Sequence, residues 1–265
     1  MDPIDLIGLA VPLTYFVFLI TEKLWPARRF PPRQGWRWLG VAFLILILTV
    51  GTVVPLLIPA DWLAAHRWLD GTGLGVAGGA LVGYVVLSGV MYAYHRSVHN
   101  VGFLWRGLHQ LHHSPQRVDM PGAVLFHPLE MVAQVLVQLF VTVIVLGLDP
   151  VAAALTGYIA AFYGMFQHWN VRTPRWIGYL IQRPEAHCVH HRKSVHYYNY
   201  GDLPIWDILL GTFRNPHEFN GECGFEGNAD RRLGAMLAFV DVNAPLYGPG
   251  GLGRSAPGRH AAQTA

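Results

Sequence analysis

Trp38–Ala60 and Gly71–Tyr94 run for 23 and 24 residues without one charged side chain. An α-helix needs about 20 mostly apolar residues to cross a hydrocarbon core about 30 Å thick. In that medium only helices and closed barrels satisfy their own backbone hydrogen bonds, so stretches of this length and composition dictate helix. Leu6–Thr21, Met131–Leu148 and Val151–Gln167 extend the pattern with 16, 18 and 17 uncharged residues. The last two are separated by Asp149 and Pro150, which read as the tip of a helical hairpin over residues 129–167 whose arms either span or re-enter. The first stretch is not a cleaved leader, because acidic Asp2 and Asp5 stand where a basic start belongs and EKLWPARR follows without a small-residue cleavage pattern. The expected fold is an all-α integral membrane protein with four to five transmembrane or re-entrant helices.

Cytoplasmic loops are enriched in Lys and Arg. Residues 22–37 hold Lys23, Arg28, Arg29, Arg33 and Arg37, whereas residues 61–70 hold only Arg67. Threading the chain from that asymmetry puts 18 of the 19 basic residues on the cytoplasmic side, with residues 95–130 and 168–265 among them. Trp25, Trp36, Trp38, Trp62 and Trp68 stand near segment ends, where amphipathic rings favour the interface. Membrane orientation accounts for the net charge of +3, and no basic run with interleaved aromatics suggests nucleic acid.

Histidines supply the chemistry. HRSVH begins at His95, HQLHH at His109 and HCVHH at His187, so His95, His99, His109, His112, His113, His187, His190 and His191 recur at helical spacing. Residues at i, i+3 and i+4 share one face of a helix, so each HxxHH offers three imidazoles on one side and HxxxH offers two. Neutral imidazole ligates zinc, copper, iron or nickel, and the spacing alone does not choose among them. All three clusters fall on the side that the basic residues assign to the cytoplasm. His66 falls on the opposite side, and His260 lies in a Gly-, Pro- and Ala-rich tail expected to be disordered. Cys188 and Cys223 read as reduced thiols, Cys188 facing away from the histidines of its own cluster.

The three boxes, with YNYGDLPIWDILLGTF from Tyr198 to Phe213, resemble the fatty acid hydroxylase and sterol desaturase superfamily over residues 80–215. The resemblance implies a membrane-bound non-haem di-iron oxygenase with a cytoplasmic histidine-rich di-iron cap. Such enzymes use O2 as co-substrate and external electrons to hydroxylate, desaturate or demethylate a sterol, fatty acyl chain, sphingolipid or ether lipid. It further implies that the eight box histidines hold two iron ions and that His168, in FQHWN, is a ninth ligand. A tenth position used by some members is Arg172 here. His127, His196, Asn199 and Asp207 are expected around the ligands rather than on the metal. Asp119, Glu130, Asn170, Glu185 and Asp202 are further candidates to orient them through the outer ring nitrogen.

The expected organisation is 1–94 as N-terminal transmembrane helices, 95–215 as the catalytic region, 216–244 as a C-terminal cytoplasmic segment and 245–265 as the tail. A lipid substrate is expected to enter from the bilayer, the Gly-rich third segment to pack closely against its neighbours, and electrons to come from a separate cytochrome b5-like, ferredoxin or reductase donor. The host membrane would be a bacterial inner membrane or, in a eukaryote, the endoplasmic reticulum. Two other classes use clustered histidines. A membrane zinc hydrolase needs about three protein ligands, and HExxH is absent. A metal-binding or transport protein would carry polar residues through its apolar segments, which hold essentially none beyond Gln134 and Gln138.

Overall fold

Asp2 opens the first helix, its carboxylate accepting from the Ile4 amide at 2.8 Å while Pro3 occupies the first turn. In the computed structural model, which describes residues 1–227 and 229–243, α1 runs Pro3–Leu24, α2 Trp36–Leu56, α3 Ala60–Ala65 and α4 Gly75–Asn100. Short helices α5 (Gly102–Leu104), α6 (Gln110–His113) and α7 (Met120–Ala123) then cover one end of the bundle. The chain returns through α8 (Pro128–Leu139) and α9 (Pro150–His168), and ends with α10 (Pro184–His190), α11 (Pro204–Leu209) and α12 (Leu233–Leu237). Among the described residues there is no strand, only an isolated bridge between Arg192 and Cys223. The tail 245–265, with His260, lies outside the described residues.

Four helical segments are long and apolar enough to cross a membrane: Pro3–Leu24, Trp36–Leu56, Thr72–Asn100 and Pro128–Val145. The fifth long helix, α9, is the inner one, packed between α1 and α4, while α2 lies against α7 and α8. The hairpin therefore has unlike arms. Its first arm passes from α8 into a π-helical turn at Phe140–Val145. At the tip Gly147 takes φ +56, and the Asp149 carboxylate accepts from the Val151 amide at 2.8 Å to start α9.

Loop contacts sort the chain into two ends. Trp68 N–H donates to the Ile144 carbonyl at 2.7 Å and Gly71 N–H to Gly147 at 3.2 Å, so the loop before α4 lies against the hairpin tip. At the opposite end Ala27 N–H donates to Asn170 at 2.9 Å. Glu22, buried at the end of α1, accepts from the Met120 and Asn170 amides. The basic 22–37 loop thus shares an end with the histidine boxes. Trp25, Trp38, Trp62 and Trp68 are exposed, as interface rings should be, but Trp36 is not. It is buried and donates its indole N–H to Asp119 at 2.9 Å, because α2 starts under α7 rather than at the periphery.

Glycines let α4 approach α9. A Cβ on Gly83 would come within 2.5 Å of Thr156 Oγ1 and 2.8 Å of Leu148, and one on Gly79 within 3.0 Å of the Ala152 Cβ. Contact this close favours helix association where no hydrophobic driving force separates helix from lipid. Gly83→Val should therefore cost about 1–3 kcal/mol by overpacking, lowering the thermal unfolding midpoint in detergent. Gly78→Ala, where a Cβ meets nothing closer than 3.6 Å, should leave that midpoint unchanged.

Candidate metal centre

Close packing of α4 on α9 brings His95 and His99, near the end of one helix, to the same end of the bundle as His168, the last residue of the other. After α4 and the short α5 the chain widens into a π-helical turn, Trp105–His109, that delivers His109 at its last position and leads into His112 and His113 on α6. Turns of this kind recur at functional sites. His187 and His190 lie on α10, with His191 as its C-cap. The start of α10 is clamped by Arg183, only 1% exposed, which pairs with Glu185 at 2.9 Å and donates to the Pro216 and His217 carbonyls at 3.1 Å.

The nine histidines form two groups. His95, His99, His109, His113 and His190 bring one nitrogen each within 4.8 Å of one another, and so do His112, His168, His187 and His191. The boxes therefore do not act as units with three rings at one point. On an α-helix residues i and i+4 lie about 40° apart around the axis, whereas i+3 and i+4 differ by about 100°. The pairs 95/99 and 109/113 enter the first group and 187/191 the second, while the i+3 residues, His112 and His190, cross to the other group. The two groups touch through His113 and His191, stacked with ring centroids 4.1 Å apart.

Hydrogen bonds to the outer nitrogens orient several rings. His95 Nδ1 donates to the Tyr200 carbonyl at 2.7 Å, His190 Nδ1 to Tyr198 at 2.8 Å and His168 Nδ1 to Gly164 at 2.7 Å. His109 Nδ1 lies 2.7 Å from Glu130 Oε1. Carbonyls only accept, so His95, His168 and His190 must carry their proton on Nδ1 and turn an Nε2 lone pair inward. Inside, His95 Nε2 meets His109 Nε2 at 3.0 Å and His99 Nε2 at 3.2 Å; His168 Nε2 meets His187 at 3.1 Å and His112 at 3.2 Å. One lone pair cannot satisfy two ring N–H groups well, and His190 Nε2 and both nitrogens of His113 are buried without a hydrogen-bond partner. Converging nitrogens of this kind suit a cation. Burial, then repulsion among neighbouring rings, holds His109, His112, His113, His187, His190 and His191 well below the usual imidazole pKa, so all are neutral and able to ligate at pH 7.

The other sequence candidates sit around this core. His127 is in neither group: it caps α8, accepting from the Leu129 amide at 3.1 Å, and packs on Phe239. His196, its pKa lowered by burial to about 4, packs 4.9 Å from the Trp105 ring and 5.5 Å from His113 without joining a group. Asn199, at φ +58, ties Ala186 to Arg214, and Asp207 accepts from the Tyr200 and Gly201 amides at 2.9 Å. Asp207 thereby fixes the loop whose Tyr200 carbonyl orients His95. Asp119, Asn170, Glu185 and Asp202 bind Trp36, Arg28, Arg183 and Gln167 instead of a box histidine. Of these carboxylates and amides only Glu130 reaches one. The carbonyls of Gly164, Tyr198 and Tyr200 had no signal in the sequence, since any residue supplies one. Cys188 and Cys223 are free thiols buried together with Val118, away from both groups.

Rings buried neutral must take up protons when the chain unfolds in acid. Their folded pKa values lie below the unfolded value of about 6.5, so the unfolded state binds more protons and stability falls with pH below that value. The unfolding midpoint of metal-free protein should drop steeply between pH 7 and pH 5, with several protons taken up per molecule; a flat profile would contradict the neutral cluster.

The sequence pattern of the family described as fatty acid hydroxylase matches residues 80–212, which include every histidine of both groups. Ornithine lipid hydroxylase OlsE of Rhizobium tropici is 28% identical over 244 residues, covering 85% of this chain and 72% of that protein. Very-long-chain aldehyde decarbonylase GL1-9 of Oryza sativa subsp. japonica is 32% identical over 143 residues, 50% of this chain and 53% of that one. Alkylglycerol monooxygenase of Homo sapiens is 29% identical over 131 residues, 48% of this chain and 28% of the human protein. The chain thus spans about half or less of the last two. No solved structure matches. With the matched region covering half the chain and enclosing both histidine groups, the protein belongs to the fatty acid hydroxylase family.

Proposed function

We propose that this protein is a membrane-bound non-haem di-iron oxygenase that hydroxylates or desaturates a lipid, using O2 and electrons from a separate donor. The observation that carries this reading is the division of nine histidines, eight buried and His95 half-buried, into groups of five and four at one end of a bundle of membrane-length helices. Two sets of nitrogen donors exceed what one zinc requires. His95, His99, His109, His113 and His190 would hold one iron, and His112, His168, His187 and His191 the other. When bound, the irons supply the reduction of O2 and the oxidising power to break an unactivated C–H bond.

The chain's own residues orient, shield and admit. The carbonyls of Tyr200, Tyr198 and Gly164 fix ring tautomers, and Asp207 holds the Tyr200 loop. Trp105, Leu111, Met120 and Phe225, all buried, close the cluster to water. A cavity of about 450 Å³ opens beside the π-helical turn that carries His109, lined by Phe103, Leu104, Gly107, Leu108, Leu129 and Phe239 with Arg106. Phe103 and Leu129 are largely exposed next to the ends of two membrane-length helices, which suits a lipid tail leaving the bilayer. The basic 22–37 loop at the histidine end favours a cytoplasmic centre, facing a soluble donor. An ornithine-headed lipid is the first substrate to assay, because similarity to the hydroxylase of that lipid is spread over 85% of the chain.

Purified protein should contain two irons per chain and consume O2 when lipid and reductant are supplied; one zinc without O2 consumption would sink the proposal. His112→Ala should abolish turnover while membrane insertion persists. Leu108→Trp, which fills the cavity, should raise KM for lipid without changing iron content, and an unaltered KM would remove the cavity from the substrate route.

A further inference from the structure

The nine imidazoles are not held alike. In the five-histidine group the outer nitrogens of three rings, His95, His109 and His190, are fastened to Tyr200, Glu130 and Tyr198, while those of His99 and His113 have no hydrogen-bond partner. In the four-histidine group His168 is fastened to Gly164, whereas the outer nitrogens of His187 and His191 are buried with no hydrogen-bond partner. A ring already fixed in tautomer and rotation loses less freedom on ligation. The first group also offers one more nitrogen.

Glu130 adds a difference in kind. It is 0% exposed, stands in the first turn of α8, and its Oε1 lies against His109 Nδ1 at 2.7 Å. Among the described residues no lysine or arginine forms an ion pair with it. A carboxylate buried at the start of a membrane-length helix is costly unless a cation compensates it. The nearest place for that cation is the centre of the five-histidine group, reached through one imidazole. A carboxylate behind a ligating histidine makes the ring a better donor. Among the described residues no side-chain carboxylate hydrogen-bonds a ring of the four-histidine group.

We infer that Glu130 is a positioning residue that makes the five-histidine position the tighter of the two, so that metal enters it first and leaves it last. This rests on the two-metal reading above.

The full chain in detergent, stripped of metal and titrated anaerobically with ⁵⁷Fe(II), tests it by Mössbauer spectroscopy. One quadrupole doublet should grow up to one equivalent and a second only beyond it, and a chelator should then remove the irons in a fast and a slow phase. Glu130→Gln keeps an acceptor oxygen for His109 and deletes the charge. It should shift the first doublet alone and speed the slow phase by about 10–100-fold. His168→Ala offers an independent check: it should remove the second doublet and leave the first, with its slow release, in place. Two doublets growing together from the first addition, or a slow phase untouched by Glu130→Gln in folded protein, would overturn the inference and leave the two-metal reading standing. Uptake of fewer than two irons by the wild type would overturn that reading itself.

Discussion

Nine imidazoles, eight of them buried, gather in two groups with their nitrogens within 4.8 Å of one another, seven meeting a neighbour at 3.0–3.2 Å, and the rest of the architecture holds them there. Such a cluster does not assemble for its own stability. Hydrophobic packing and backbone clamps have to impose it: α4 lies tightly on α9 through Gly79 and Gly83, Glu22 ties α1 to the ends of α7 and α9, and Arg183 staples the 215–217 segment over the start of α10. Each clamp meets the cluster from a different part of the chain, which explains why boxes more than 70 residues apart converge.

Helical phase divides the cluster. An i, i+4 pair points two rings at one centre, and the i+3 residue between them turns aside by about 100° toward the neighbouring centre. Two HxxHH boxes used in opposite senses, with HxxxH and a lone His168, give five donors on one side and four on the other. The asymmetry is built into the motif spacing and then sharpened by Glu130, which reaches only His109.

The membrane supplies the second constraint. Long helices expose apolar side chains to lipid along α1 and α2, while polar groups gather at the end that also holds the basic loop. At that end the cavity by Gly107 and Leu108 opens between the π-helical turn, Leu129 of α8 and Phe239.

Much of this was legible in the residues themselves. Uncharged stretches the length of a bilayer dictate helices because lipid offers the backbone no other partner, and His95 with His99 or His187 with His191 read as pairs because helical spacing is local. Glycines on α4 signalled close packing for the same reason. The tertiary structure alone decided the rest. It assigned His112 and His190 to opposite groups, buried Trp36 beneath α7, made α9 the inner helix and turned His127 into a cap. It also singled out Glu130 from several carboxylates equally near in sequence, and gave His95, His168 and His190 their partners in backbone carbonyls. Sequence carries the chemical identity and helical phase of each ligand, which depend on neighbours along the chain. Which ligands meet, and what stands behind them, depends on contacts between segments that no local pattern encodes.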